Sequence, residues 1–195
     1  MSDLLALITI IAWPIIPLFW IPLHLFPHFF KKIKLFTYLM PLCTWLPFAY
    51  LIYQYQTTLL QAKVEFPLII SLIGLTLLII GTLLHIWTGK LLSLWGLIGL
   101  PEVYEVMAGK LVRTGAFSVV RHPTYLAHTL MFSGVFFISG VITVFLITLL
   151  DFIVIHFFII PLEEKELTLR FGEDYRKYKN EVPRFFPRLK RRKTE

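Results

Sequence analysis

The stretch Arg121-His122-Pro123-Thr124-Tyr125 leads directly into a long apolar segment, residues 126–150. Proline suits the first position of a helix, where its missing N–H group costs no hydrogen bond. A helix that begins at Pro123 points unpaired N–H groups and its positive dipole end at an adjacent ligand, which favours an anion. The sequence therefore predicts a polar binding site at the edge of a membrane helix.

The composition predicts an integral membrane protein. Hydrophobic residues make up 57% of the 195 residues and charged residues 16%, whereas a soluble domain has about 25% charged residues. The apolar residues lie in long uncharged runs, which is typical of membrane-spanning helices. One cysteine, Cys43, excludes an intramolecular disulfide and a cysteine-cluster metal site, and we expect no metal. We expect no nucleic-acid partner either, because the net charge of +7 comes without a basic–aromatic binding module.

Four runs with few charges predict five membrane-spanning helices. The first three runs are residues 4–30, 35–62 and 66–89, and each is long enough for one span of about 20 residues. The fourth run, residues 122–162, carries a single charge and has room for two spans that turn near Ser139-Gly140. The predicted fold is an all-α polytopic membrane protein without a Rossmann domain.

The basic residues divide unevenly between the two sides of these spans. Of the 19 Lys and Arg residues, 18 lie in the connections 31–34 and 90–121 and in the C-terminal part from residue 163. The remaining one, Lys63, lies in the connection on the opposite side. The positive-inside rule then places the N-terminus outside and the C-terminus in the cytoplasm. This arrangement needs an odd number of spans, so the charges support five spans independently of hydropathy.

The chain divides into an N-terminal part with three spans, residues 1–89, and a predicted catalytic region, residues 90–195. Apolar side chains recur every three or four residues from Leu167 to Val182, which indicates an amphipathic helical face with a break at Gly172. The catalytic region is predicted to comprise a connecting loop in which glycines interrupt any long helix, a helical hairpin and a cytoplasmic helical segment (90–121, 122–162 and 163–195).

Two acidic residues, Glu163 and Glu164, follow the predicted hairpin at its open end. Because a short turn joins the two spans, the start of the first and the end of the second lie side by side. His122, Tyr125 and Glu163 can then converge on one small volume, and apolar walls with a few convergent polar groups are the usual form of a ligand site. Asp151 lies inside the last span, where we interpret it as an interhelical hydrogen-bond partner.

Several short motifs resemble, in order and spacing, the isoprenylcysteine carboxyl methyltransferase family of integral membrane methyltransferases, in particular its short prokaryotic members. The resemblance covers roughly residues 100–187. It rests on Lys110-Leu111-Val112-Arg113-Thr114-Gly115-Ala116-Phe117, Arg121-His122-Pro123-Thr124-Tyr125, Glu163-Glu164-Lys165-Glu166-Leu167, Phe171-Gly172-Glu173-Asp174-Tyr175 with Tyr178, and Val182-Pro183-Arg184-Phe185.

The resemblance implies that S-adenosyl-L-methionine binds at the cytoplasmic face and leaves as S-adenosyl-L-homocysteine. The acceptor it implies is a lipophilic or prenylated molecule that enters from the membrane lipid, with a carboxylate of isoprenylcysteine type as the methylated group. The implied cofactor contacts are Glu102, Lys110, Leu111, Val112, Phe117, His122, Pro123, Thr124, Tyr125 and Glu163. The residues predicted to act in catalysis are Arg121, Tyr125, Glu164 and Arg184.

The identity of the acceptor stays open at this point. Eukaryotic members of the resembled family have an arginine four residues before the first Glu of the pair, and Ile159 occupies that position here. Methylation of a carboxylate needs no general base, because the acceptor is already ionised. One alternative is a phospholipid N-methyltransferase, in which Glu164, His122 or Tyr125 would take a proton from an amine. Another is an NADPH-dependent membrane sterol reductase.

Overall fold

The structure is a computed structural model that describes residues 2–104 and 110–187. Every regular element in these ranges is a helix, apart from an isolated β-bridge between Lys63 and Val141. The predicted all-α fold is therefore confirmed. In chain order, the α-helices are α1 (Ser2–Ala12), α2 (Ile15–Leu25), α3 (Pro27–Ile33), α4 (Leu39–Gln54), α5 (Gln56–Gln61), α6 (Leu68–Leu97), α7 (Leu100–Val103), α8 (Pro123–Ser139), α9 (Ile142–Val154), α10 (Ile160–Phe171) and α11 (Glu173–Glu181).

Four helical segments within the described ranges are long and apolar enough to cross a membrane. They are Ser2–Leu25, Pro27–Gln54, Leu68–Ser93 and Ile142–Phe171. These segments support an integral membrane protein, as the composition predicts. Helix α8 has 17 residues, which corresponds to about 25 Å of helix and lies at the lower limit for a span. Because α8 would be the fifth span, the count of five stays a prediction.

Helices α6 and α8 run antiparallel in close contact, and glycines make this approach possible. A Cβ atom added to Gly74 would lie 2.9 Å from the carbonyl oxygen of Gly134, and one added to Gly81 would lie 2.9 Å from that of Ala127. Both distances are shorter than van der Waals contact, so larger residues would push the helices apart. Close backbone contact through small residues is typical of helix pairs in membranes. This pair forms one wall of the site described below.

Helix α6 extends beyond Gly89, where the third span was predicted to end. It continues to Leu97 with a kink at Ser93, whose φ of 62° and ψ of 164° are not helical. Gly89 does not end the helix, because a backbone in apolar surroundings has to satisfy its hydrogen bonds internally. The connection to α8 therefore begins later than residue 90, and it contains α7 and a 3₁₀ helix at Gly115–Ser118.

The first predicted span, residues 4–30, corresponds to the helical segment Ser2–Leu25, which is interrupted between α1 and α2. Trp13 and Pro14 lie between α1 and α2, where the missing N–H of proline interrupts the helical hydrogen bonds. At this break, the indole Nε1 of Trp13 donates a 2.9 Å hydrogen bond to Oδ1 of Asp151 on α9. Asp151 thus joins two helices, which supports the structural role predicted for it.

The last helical hairpin turns where the sequence predicts it. Helix α8 begins at Pro123, and Gly140 follows its last residue with a φ of 68°. A Cβ atom on Gly140 would overlap the carbonyl oxygen of Val64, so both the conformation and the space require glycine. Helix α9 then continues through a π-helical turn, Ile155–Ile159, into α10. Residue 163, where the C-terminal segment was expected to begin, therefore lies on the same continuous helix as the last span.

The predicted break at Gly172 is confirmed. Helix α10 ends at Phe171, Gly172 has a φ of 56°, and α11 follows directly. Tyr175, Tyr178 and Val182 form the buried face of this segment. They turn α11 back towards the start of α8, which brings the C-terminal segment to the polar motifs.

Candidate active site

The backbone of the C-terminal segment pairs with the residues that precede α8. The N–H of Arg121 donates to the carbonyl of Pro183 at 2.8 Å, and the N–H of His122 donates to that of Arg184 at 3.2 Å. Both N–H groups would otherwise be unpaired at a helix start. As a result, the side chains of Arg121 and His122 are 8% and 4% exposed.

Glu164 is the centre of a buried cluster of charges and is 2% exposed. Its Oε1 accepts hydrogen bonds from Arg121, at 2.7 Å from Nη2 and 3.1 Å from Nε. Its Oε2 lies 2.8 Å from Nζ of Lys179 and 3.3 Å from Nη2 of Arg184. Arg121 also donates to the carbonyls of Lys179 and Val182. The cluster therefore ties α10 to the start of α8 and to the C-terminal segment.

His122 lies between the two carboxylates of the acidic pair. Its Nε2 is 3.3 Å from Oε1 of Glu164, and its Nδ1 is 3.5 Å from Oε2 of Glu163. Burial by itself lowers the pKa of His122, but the hydrogen bonds and charges of Glu163 and Glu164 outweigh burial and raise the pKa above its ordinary value. The ring of Tyr125 stacks on His122 with centroids 5.9 Å apart, and Tyr125 also interacts with Glu163. The predicted convergence of these three residues is confirmed.

A cavity of about 950 Å³ extends from this polar cluster into the apolar part of the molecule. Helices α2, α6, α8 and α10 surround it, together with the chain around Lys110 and Phe117. Its deeper part is lined by aromatic and aliphatic side chains such as Trp20 and Phe132. Of the residues predicted for the site, nine line this cavity: Lys110, Leu111, Val112, Phe117, Arg121, His122, Thr124, Tyr125 and Glu163.

Four other predicted site residues do not line the cavity in the described structure. Glu164 and Arg184 line a smaller cleft on the opposite face of α10. Pro123 is buried as the first residue of α8. Glu102 lies in α7, and its side chain is outside the described part of the structure.

Several cavity residues were not predicted to belong to the site. Leu167, Phe171, Tyr175 and Tyr178 were recognised as a helical face, but their spacing does not show which surface they contact. The hydroxyl of Tyr178 donates a 2.6 Å hydrogen bond to the carbonyl of Phe117. Burial raises the pKa of both tyrosines, so both hydroxyls are neutral at physiological pH.

Other unpredicted lining residues lie outside the motifs. Phe19 and Trp20 lie on α2, His85 on α6 and His128 on α8. Arg170 is a cavity residue of α10 and pairs with Glu166 at 3.3 Å. No local signal in the sequence marks these residues, because each reaches the cavity through tertiary packing.

A family model described as phospholipid methyltransferase matches residues 69–174. The chain belongs to this family. The matched residues include α6, α8, α9 and both glutamates of the acidic pair, so they contain most of the cavity wall. Membership makes the protein a membrane methyltransferase and favours that activity over the NADPH-dependent reduction considered from the sequence. Searches of the curated proteins and of the solved structures found no match.

The described residues contain no group of three or more His, Cys, Asp or Glu side chains that could hold a metal ion. The side chains at the site can bind and orient charged groups and can transfer protons. His122, Glu163 and Lys110 can bind charged groups at one end of the cavity. The apolar walls can hold a lipid chain and exclude water from the other end.

Replacing Glu164 by glutamine should release the C-terminal segment. The substitution keeps the shape but leaves buried Arg121 without its counter-charge, and breaking such a pair costs about 3 kcal/mol. We expect a lower melting temperature in detergent and faster trypsin cleavage after Lys179. The matched control is Glu173→Gln on the surface of α11, where an exposed ion pair with Arg176 contributes little. Equal melting temperatures for the two variants would contradict the structural role of Glu164.

The raised pKa of His122 predicts how stability depends on pH. The folded protein binds the imidazole proton more tightly than the unfolded chain, whose pKa is near 6.5. The contribution of His122 is therefore fully present below about pH 6.5 and is lost as pH rises through the folded pKa. The melting temperature should fall as the pH rises above about 6.5, and His122→Asn should flatten this change. His28→Asn, which changes an exposed histidine, should leave the slope as in the unmodified protein.

Proposed function

We propose that the protein transfers a methyl group from S-adenosyl-L-methionine to the head group of a lipophilic acceptor that enters from the membrane. The observation that carries this proposal is the single cavity with a charged end and an apolar end. Its volume of about 950 Å³ is at the upper end of the roughly 300–1,000 Å³ of small-molecule pockets. Methyl transfer requires donor and acceptor in one water-excluding space, and this cavity offers room for both.

The charged end suits the polar part of S-adenosyl-L-methionine. Oγ1 of Thr124 is buried there without a hydrogen-bond partner among the described residues, and unpaired buried polar atoms are costly. Oε2 of Glu163 lies 3.5 Å from Nδ1 of His122, which is a long contact for a buried carboxylate. The ammonium or ribose hydroxyls of the donor would satisfy Glu163. Protonated His122 and Lys110 suit its carboxylate, and the Phe117 ring suits its adenine or sulfonium. The donor supplies an activated methyl group on sulfur when bound.

The chain contributes position rather than covalent chemistry. Glu163 and His122 would fix the donor, and the apolar walls would exclude water from the reacting atoms. Arg121 lines the cavity, but its guanidinium donates to Glu164, which lines the smaller cleft. We therefore assign them the role of positioning His122 and closing the C-terminal segment over the site. The contribution of Tyr125 is to orient Glu163.

A phospholipid amine is the first candidate acceptor, and it is favoured by the family to which the chain belongs. The second is the lipophilic carboxylate that the resemblance to isoprenylcysteine carboxyl methyltransferases implies. It is favoured by the basic side chains of Lys110, His122 and Arg170 along the cavity. Arg184 faces the smaller cleft, so it does not take the place of the substrate-side arginine that Ile159 replaces.

We expect Glu163→Gln to weaken binding of S-adenosyl-L-methionine by about 10- to 100-fold, since a charged hydrogen bond contributes about 1.5–3 kcal/mol. Equilibrium binding of labelled donor to purified protein measures this change. Glu173→Gln is the control, because Glu173 lies on the exposed surface of α11. Binding of NADPH instead of S-adenosyl-L-methionine would contradict the proposal. Transfer of label to phosphatidylethanolamine or to a prenylcysteine analogue then distinguishes the two acceptors.

We further propose that α8 is a fifth span and that the cavity's charged end faces the cytoplasm. The support is the distribution of Lys and Arg residues, which places 18 of 19 on one side. In a Cys43→Ser background, a cysteine at exposed Ser118 should resist a membrane-impermeant thiol reagent in intact cells and react after lysis. A cysteine at exposed Glu65 should react in both. The reverse pattern would overturn this orientation.

A further inference from the structure

Two histidines face each other inside the cavity, away from the acidic pair. His85 on α6 and His128 on α8 have ring centroids 5.0 Å apart, and both line the cavity. The Nδ1 atom of each ring is buried and has no hydrogen-bond partner among the described residues. His128 lies six residues beyond His122 on α8, about 9 Å deeper along the helix. The pair therefore sits between the charged end and the apolar end.

Methylation of an amine requires a base, and the groups first considered for this role are engaged elsewhere. Glu164 is surrounded by Arg121, Lys179 and Arg184, so its carboxylate is a weak proton acceptor. His122 carries its proton between two carboxylates and donates rather than accepts. Tyr125 interacts with Glu163. Glu163, the carboxylate of the acidic pair that lines the cavity, is assigned to the donor in the proposed function.

We infer that His128, paired with His85, is the base that takes a proton from an amine head group, so that the acceptor is a protonated primary or secondary amine on a lipid. This inference rests on the proposed methyl transfer and selects between its two acceptors. A carboxylate acceptor would give the buried imidazole pair no proton to take. An ammonium group has to lose a proton before its nitrogen has a lone pair.

The ammonium of the acceptor gives one proton to the imidazole of His128, which lines the cavity and becomes an imidazolium. The freed lone pair on nitrogen forms a bond to the methyl carbon, while the carbon–sulfur bond breaks and its electron pair stays on sulfur. The products are an N-methyl ammonium lipid, S-adenosyl-L-homocysteine and protonated His128. His128 returns to its neutral state when it gives the proton to water after product release.

The surroundings of His128 favour a neutral ring. Two imidazolium charges about 5 Å apart in an apolar cavity repel strongly, so at least one ring of the pair is neutral. The titratable groups that face His128 are His85 from α6 and Tyr125 from its own helix. Phe132 stacks on the ring of His128 with centroids 6.3 Å apart, which holds the ring in position along the cavity wall.

A purely structural contact between helices would look different. Polar side chains that join membrane helices do so by hydrogen bonds across the interface. Here Nδ1 of both rings lacks such a bond among the described residues, and both rings border open space. The pair is therefore arranged for a ligand with a donor group.

The test uses full-length protein reconstituted in vesicles that contain phosphatidylethanolamine. His128→Asn and His128→Gln should each lower methyl transfer to phosphatidylethanolamine by at least about 100-fold, the usual contribution of a general base. Binding of S-adenosyl-L-methionine should stay within about threefold of the unmodified protein, a change of well under 1 kcal/mol. His28→Asn is the matched control, since His28 is an exposed histidine outside the cavity.

A second acceptor separates a base from a structural residue. A lipid with an aminooxy head group is largely neutral at pH 7 and needs no proton removed before the transfer. The His128 variants should therefore regain most of the unmodified rate on this lipid. Equal losses on both lipids, or an undiminished rate on phosphatidylethanolamine, would overturn the inference. So would loss of donor binding in both variants, because the pair would then be structural.

The wild-type protein distinguishes failure of this inference from failure of the proposed function. Donor binding with transfer to a prenylcysteine analogue but not to phosphatidylethanolamine would leave methyl transfer standing and overturn the role of His128. Absence of donor binding by the wild-type protein would overturn both. Transfer to phosphatidylethanolamine that depends on His128 supports both.

Discussion

The buried carboxylate of Glu164 is the interaction on which the site depends. Desolvation of this group is tolerable because Arg121, Lys179 and Arg184 surround it, whereas the carboxylate alone would be costly to bury. Because the partners come from separate parts of the chain, their mutual neutralisation fixes α10, the start of α8 and the C-terminal segment at once. His122 is then held at a defined angle between Glu163 and Glu164, and the cavity acquires its charged end.

The different roles of the cavity residues follow from this arrangement of charges. Glu164 and Arg121 bond to each other. The groups that can still form hydrogen bonds to a ligand in the cavity are others, such as Glu163 and the His85–His128 pair. A methyltransferase needs little covalent chemistry from its side chains. It needs a dry space, an anchored donor and, for an amine, somewhere for a proton to go. In the proposed reaction, the cavity would supply the dry space, Glu163 would anchor the donor and the His85–His128 pair would take the proton.

The charged end could be predicted from the sequence, and the apolar end could not. A short turn at Gly140 forces the ends of the hairpin together, so the approach of His122 to Glu163 follows from chain connectivity alone. His85 and Trp20 carry no such constraint, because their place in the cavity depends on how α6 and α2 pack against α8. The kink at Ser93 also has no local signal. The ion-pair partner of Arg121 could not be predicted for another reason. Glu163 and Glu164 are adjacent and look equivalent in the sequence, but they lie on different faces of the helix.

The continuous helix from Ile142 to Phe171, which is long and apolar enough to cross a membrane, would set the depth at which a lipid acceptor of the proposed kind reaches the site. Glu163 lies on this same helix, so the hydrocarbon thickness of the membrane would set the depth of the charged end of the cavity. The depth of a lipid head group in the membrane depends little on the length of its acyl chains. The length of this helix would thus place the reacting atoms at the level of the lipid head groups. Selectivity should then come from head-group chemistry, while acyl chains of many lengths remain acceptable.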